Sequence, residues 1–262
     1  MLDGRVWVLE AAHARREGTA QEFVVVPVRH VAALPDHATF DLGACLGVPF
    51  LTAHRALTVN DPGPPRLHAG ALDGRVVLVA GGAGAVANAA IQLAVWAGAT
   101  VLTTVSGPAK AQLADAAGAH HVIDYRTSDV EDAVRQIAPH GADTIVEVAA
   151  GANAALDASL VARHGCVACY ASEGEAEIRL PSRVLTGRNA RWQFVSVFLV
   201  PPEAKSAAIE DVGAALHAGA LDAGEHRGLP LHHYPLESTA EAHRAVEGSV
   251  VGKVLVDIAE IA

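Results

Sequence analysis

The stretch VVLVAGGAGAVANAAIQLAVWAGATV, Val76 to Val101, reads as an apolar strand, a glycine-rich turn, an alanine-rich helix and a second strand. A continuous apolar run such as RVVLVA (75–80) suits a strand buried on both faces, and the helix is expected from about Gly84 to Ala97. Between them Gly82, Ala83, Gly84, Ala85, Val86 and Ala87 spell G-x-G-x-x-G/A. The first two glycines permit a tight turn and let backbone N–H groups and a helix N-terminus approach a pyrophosphate. Alanine at the last position sets how closely helix and strand pack. The hexamer alone is weak, and a tight strand-to-helix turn without a ligand is the competing reading. Its place inside a βαβ unit is what strengthens the dinucleotide reading.

Outward from this turn, strand and helix signals keep alternating from residue 75 to 199. ATVLTTV is a strand, GPAKAQLADAAG a helix with proline near its start and Gly118 as its stop, HHVIDY a short strand, and SDVEDAVRQIA a helix capped by Ser128 or Asp129. ADTIVEVA and GCVACY are strands on either side of a helix ANAALDASLVARH, and WQFVSVFLV (192–200) closes the series as one long apolar strand. This alternation predicts an α/β fold, a Rossmann-type, doubly wound parallel sheet covered on both faces. The flanks differ. GTAQEFVVVPVRHVAALPD carries strand-like pieces broken by prolines, and NDPGPPRLHAGALDG is a Pro/Gly-rich connection. After the alternating block come a helix AAIEDVGAALHAG, strand-like LPLHHYPL, a helix STAEAHRAVEG and a strand GKVLVDI.

Composition narrows the function. With 262 residues, 51% of them hydrophobic, the chain can bury a large core. A net charge of −10 with scattered basic residues disfavours nucleic acid as a partner. No apolar run is long enough to span a bilayer, and the start lacks the pattern of a signal peptide, so a cytoplasmic location is expected, without a membrane. Three cysteines give no even disulfide framework. Cys166 and Cys169 form a C-x-x-C, but in a strand residues three apart point to opposite faces, and no further ligands stand at metal spacing.

Cofactor choice should be legible at the end of the second strand, where NAD-binding folds place an acid on the ribose hydroxyls. Here the segment is TTVSGPAK, which has no acid. Ser106 and Lys110 offer a hydroxyl and a cation that suit a 2′-phosphate, so NADPH is expected over NADH.

The segment GGAGAVANAAIQLAVWAGATVLTTVSGPAKAQLADAAGAHHVIDYR resembles the coenzyme domain of zinc-independent quinone oxidoreductases, the zeta-crystallin-like branch of the medium-chain dehydrogenase/reductase superfamily. GTAQEFVVVP, LGACLGVPFLTAHRAL and YPLESTAEAHRAVEGSVVGKVLVDI resemble further segments of that family in the same order. The resemblance implies a metal-free oxidoreductase that passes hydride from NADPH to a quinone, an enone or a similar small-molecule acceptor. It also implies site positions. Ser106, Lys110 and Tyr125 fall where the family grips the 2′-phosphate and adenosine ribose, and Ala83 to Val86 fall on the pyrophosphate turn. Thr52, Val148 to Ala150 (Ala149 among them), Tyr170 to Ser172, and Val197 and Phe198 fall on stretches lining the nicotinamide half. The zinc branch has a cysteine ligand where this chain has Val48, with Cys45 three residues earlier.

Family members carry several more strands before the segment equivalent to GRVWV, where this chain begins. The resemblance therefore implies a truncated GroES-like, β-rich catalytic domain from residues 1–55 and 225–262 around an NADP(H)-binding domain at 56–224. Two other outcomes stay open, a redox-silent NADPH-binding protein and a non-redox biosynthetic enzyme on the same fold. No catalytic residue is assigned; His54, His232 and His233 are the acid or base groups considered among 14 histidines. A homodimer joined through the edge strand 192–199 is expected, since a long apolar edge invites pairing with its own copy.

Overall fold

A computed structural model of the chain describes residues 4–61, 63–172 and 177–258. Part of the expected linker, Pro62, and the extreme ends of both terminal segments lie outside the described residues. The first elements are strand β1 (Val6–Val8), strand β2 (Val31–Ala33), helix α1 (Phe40–Cys45), a π-helical segment Leu46–Phe50, and helix α2 (Leu51–Thr58). Six strands then alternate with helices: β3 (Val76–Val79), α3 (Ala85–Trp96), β4 (Thr100–Val105), α4 (Pro108–Ala116), β5 (His121–Asp124), α5 (Val130–Ile137), β6 (Ala142–Glu147), α6 (Ala150–Leu160), β7 (Val161–Cys169), α7 (Ser182–Arg188) and β8 (Arg191–Phe194). Helix α8 (Pro202–His217), strand β9 (Leu231–Pro235), helix α9 (Thr239–Glu247) and strand β10 (Lys253–Asp257) follow.

The central sheet has the order β5-β4-β3-β6-β7-β8, every pairing parallel. The chain reverses its direction of travel between β3 and β6, which opens a crevice beyond the C-terminal ends of those two strands, where open α/β sheets bind their ligands. Burial follows the two-residue period of the strands. Val77 and Val79 pack with α2, α3 and α8 on one face, while Leu78 joins Leu102, Ile145 and Leu160 on the other. Val167 and Cys169 share this second face and Ala168 the first, so Cys166 and Cys169 point apart and are no bidentate pair.

Helix caps follow the sequence. Asp129 accepts from Asp132 N to start α5, and Pro108 stands at the start of α4. Three expectations need correction. The helix expected to reach His164 ends at Leu160, because Val161 pairs with Ala142 and the chain enters β7 at once. The long strand at 192–199 is a four-residue strand, because its partner β7 ends at Cys169, opposite Phe194. Beyond Val195, whose N–H still reaches Cys169 O, the chain turns into a 3-10 segment at Val197–Leu199. Val197 is buried there, while Phe194 and Leu199 stand exposed. Within GTAQEFVVVPVRHVAALPD just Val31–Ala33 forms a strand, antiparallel to β1, and Phe23, Val25 and Val28 are exposed. β9 and β10 make a separate, parallel pair, tied to α1 by His233, which bonds Asp257 at 3.0 Å and lies 3.6 Å from Asp41.

One carboxylate fastens the π segment and α2 to the rest. Asp211 of α8 accepts from His54 Nε2 at 2.8 Å, from Arg66 Nε at 2.8 Å and from the Leu67 N–H at 2.8 Å. Burial alone would raise its pKa, but these donors outweigh it and bring it down to about 2. His54 is thereby a structural residue, not an acid or base for chemistry. His232, bonded through Nε2 to Val251 O, and His233 are likewise engaged in holding β9 to its neighbours.

Candidate active site

The glycine turn is fixed by contact and by hydrogen bonds. A Cβ on Gly82 would lie 2.3 Å from Thr103 Oγ1, whose hydroxyl donates to Val79 O at 2.7 Å, so only glycine fits between β3 and β4. Gly81 takes φ +70°, Gly82 N–H donates to Thr104 O, and Gly84 N–H donates to Gly81 O. Helix α3 then starts at Ala85 with Gly84 as its N-cap, and among the described residues no side chain caps the positive end of this 12-residue helix. Gly82, Ala83, Gly84, Ala85 and Val86 thus form a backbone cradle that fits a pyrophosphate.

The second group of expected residues gathers beside it. Ser106 directly follows β4, and Tyr125 directly follows the adjacent β5, its N–H bonded to Val105 O at 3.1 Å. Lys110 lies in the first turn of α4, exposed. No acid ends β4; the nearest by register, Asp124 opposite Val105, accepts from the Arg126 N–H at 3.0 Å within its own turn.

The nicotinamide-side group is also drawn together in part. Ala149 is the N-cap of α6 and forms an isolated bridge with Ser172, so the turns after β6 and β7 touch. Tyr170 N–H donates to Glu147 O at 3.0 Å. Tyr170 and Ser172 line a cavity of about 430 Å³ with Arg55, Ser196 and Leu199. Phe198 lines a different cavity, about 400 Å³, with Glu10, His13, Val48 and Lys253. The turn Val197–Leu199 therefore contributes a wall to each, Leu199 to the first and Phe198 to the second. Thr52 lies buried near the start of α2, and among the described residues its hydroxyl makes no hydrogen bond.

Sequence reasoning missed Glu147 and Asp157. Both side chains are buried, at 1% and 2% exposure. Glu147 accepts from the Ala149 N–H and from Asn153 Nδ2 at 3.2 Å. Two buried carboxyls this close cannot both ionise. Burial, then the charge of Glu147, raises Asp157 to about 9, so it is protonated at neutral pH, and burial raises Glu147 too, against the hydrogen bonds it accepts. This pair pins the turn that carries Val148 and Ala149. The available signal was an acid closing the apolar strand ADTIVE and another inside an alanine-rich helix. The cysteines take no such part: burial pushes Cys45 and Cys166 up to about 11 and Cys169 up to about 12, which disfavours the thiolate that binds metals.

Comparison with known proteins agrees with this geometry. The family description "Zinc-binding dehydrogenase" matches residues 85–212. The quinone oxidoreductase of Homo sapiens is 30% identical over 242 residues, 91% of this chain and 69% of the relative's length. The chain belongs to the quinone oxidoreductase family. Among solved structures, one described as an NAD-dependent alcohol dehydrogenase superposes with a TM-score of 0.78 at 26% identity, over 94% of this chain and 66% of that one. A mycobacterial protein complexed with NADPH superposes with a TM-score of 0.75 at 25% identity, over 92% and 71%. This member of the quinone oxidoreductase family thus shares the Rossmann-type medium-chain dehydrogenase/reductase fold.

Because Asp157 holds its proton far above the usual carboxyl range, the unfolded chain loses that proton near pH 4 and the folded one near 9, so the group's stabilisation is full below pH 4 and declines as pH rises toward 9. Asp157→Asn, neutral throughout, removes this decline. Denaturation at pH 5 and pH 8 is expected to show the variant gaining on the wild type by at least about 1 kcal/mol at the higher pH. Parallel behaviour at both pH values would contradict a protonated Asp157.

Proposed function

We propose that the chain is an NADPH-dependent oxidoreductase that passes hydride, without a metal, to a quinone, an enone or a similarly activated small molecule. The observation that carries the reading is the uncapped start of α3 behind a glycine turn, with Ser106, Lys110 and Tyr125 beyond the ends of β4 and β5 and no acid closing β4. In this reading the amides of Ala83 to Val86 bind the pyrophosphate. Ser106, Lys110 and Tyr125 hold the 2′-phosphate and its ribose, where a carboxylate would repel it. Thr52, Ala149, Tyr170, Ser172 and Phe198 bound the nicotinamide half and keep water from it. When bound, NADPH supplies the hydride. The residues then divide into an NADP(H)-binding part, 56–224, and a β-rich part from 1–55 and 225–262 that walls the acceptor. The Val48 side chain has no donor atom to offer a metal, which supports the metal-free reading.

The human relative's name as a quinone oxidoreductase and the mycobacterial complex with NADPH support this choice of acceptor and cofactor, while the dehydrogenase described as NAD-dependent argues for testing it directly. Titration should show NADPH binding at least about tenfold tighter than NADH, a gap of about 1.4 kcal/mol that one charge-assisted phosphate contact can supply. Lys110→Ala should narrow it, and NADPH oxidation by 1,4-naphthoquinone should survive dialysis against a chelator. Equal wild-type affinities overturn the cofactor assignment; tight NADPH binding without oxidation of any quinone or enone would favour a redox-silent binding protein.

We also propose that two copies pair along the edge strand β8, which closes one side of the central sheet and leaves Phe194 and Leu199 exposed. Val197 faces the core and is no probe of this contact. Light scattering should find a dimer at micromolar concentration and Phe194→Asp a folded monomer; a monomeric wild type would contradict the pairing.

A further inference from the structure

The cavity of about 400 Å³ beside Phe198 contains a group that nothing so far employs. The imidazole of His13 stacks on the Phe198 ring, centroids 4.4 Å apart and planes inclined by 11°. The His13 backbone N–H donates to Glu10 O at 3.2 Å, but apart from the stack its side chain makes no hydrogen bond or ion pair among the described residues, so the ring nitrogens are free to serve a ligand. Its loop is held in an unusual shape. Glu10 at φ 52° and Ala14 at φ 54° flank it in the left-handed region, which non-glycine residues seldom occupy and which recurs at functional sites. Glu10 is anchored at the same time by Lys205 of α8, with His30 Nε2 3.6 Å away. A side chain that merely covered the surface would not require this bracing.

We propose that His13 is the proton donor to an acceptor seated in this cavity. The proposal rests on the reductase reading above and completes it, because transfer of a hydride to a conjugated carbonyl leaves a negative charge on oxygen that a proton must neutralise. For an enone, the β-carbon gains the hydride from C4 of the reduced nicotinamide and forms a C–H bond. The C=C electron pair moves toward the carbonyl oxygen, and that oxygen takes the proton of the His13 imidazolium, giving an enol that tautomerises to the ketone. The cofactor is oxidised, the acceptor reduced by two electrons, and the now neutral His13, which is exposed, regains a proton from water. The other charged groups around His13 are Glu10 with Lys205 and His30, Arg15 on the same loop, whose guanidinium donates to Val25 O, and Lys253 across the cavity. Glu10 is occupied by Lys205, and an imidazole, unlike a lysine ammonium, can both donate and regain a proton readily near neutral pH as a class of side chain.

The test uses His13→Phe, which keeps a ring against Phe198 but has no proton to give, and His13→Gln. With NADPH and 2-cyclohexen-1-one or 1,4-naphthoquinone, His13→Phe should lower kcat about 100-fold, the range of general acid catalysis, with KM and NADPH affinity nearly unchanged. The alkaline fall of the wild-type pH profile should disappear, and free imidazole should restore part of the rate. In the presence of NADP+, which allows no turnover, adding the same acceptors should shift the His13 ring resonances. NADPH oxidation that keeps its rate and pH profile in His13→Phe overturns the proposal while leaving the reductase reading intact. A wild type that binds acceptor and shifts His13 but oxidises no NADPH overturns the reductase reading and the donor role with it, leaving only the cavity assignment. Loss of rate in both variants without rescue or change of profile assigns His13 a packing role and also overturns the proposal.

Discussion

The backbone at Gly82 lies so close to Thr103 that no side chain fits between them, and the arrangement of the rest follows from this contact. It brings β3 and β4 together at their C-terminal ends, where Thr103 locks onto Val79 and the turn amides hook onto Thr104. It also aims the uncapped start of α3 into the crevice created by the reversal of strand order at β3 and β6. A helix end of this kind needs an acceptor or water. The fold places it at one rim of the crevice, with the Glu147–Asp157 pair bracing the other.

That second rim shows how electrostatics substitutes for glycine chemistry. The turn after β6 is held by a carboxylate that takes the Ala149 N–H and the Asn153 amide, and its neighbour Asp157 stays neutral because ionising both would strand two charges away from water. On the far side of the sheet's first face, Asp211 does the opposite. Three donors hold it ionised, and so fix α2 and the π segment that presents Val48. Between these supports the turn Val197–Leu199 lines two cavities, one with Tyr170 and Ser172 through Leu199, the other with His13 through Phe198.

Most of the central sheet was legible because short runs of Val, Leu and Ile alternate with helix signals between glycines and caps, the order that a buried parallel sheet produces. The cradle from Gly82 to Val86 was legible because glycine is required where the backbone lies against the Thr103 side chain and where Gly81 takes a positive φ. What failed were features set by partners distant in sequence. β7 starts at Val161 because Ala142 is opposite, and β8 stops at Phe194 because β7 stops at Cys169. Local pattern cannot express either limit. The Glu147–Asp157 pair escaped because its meaning comes from burial and proximity, and His13 because its loop conforms to no motif. Thr52 and Phe198 came from family likeness, not from any property of their own segments.

The central claim is that the start of α3 receives the phosphates of a 2′-phosphorylated dinucleotide. Backbone amide NMR of the labelled protein during titration with NADP+ tests it at the site itself. The account predicts saturable shifts at Gly82 to Val86 and at Ser106 and Lys110, with much smaller changes at the last two on titration with NAD+, and none along β9 and β10. Amides of the α3 turn that stay unmoved while the nucleotide binds elsewhere, or that show no binding at millimolar NADP+, would contradict it.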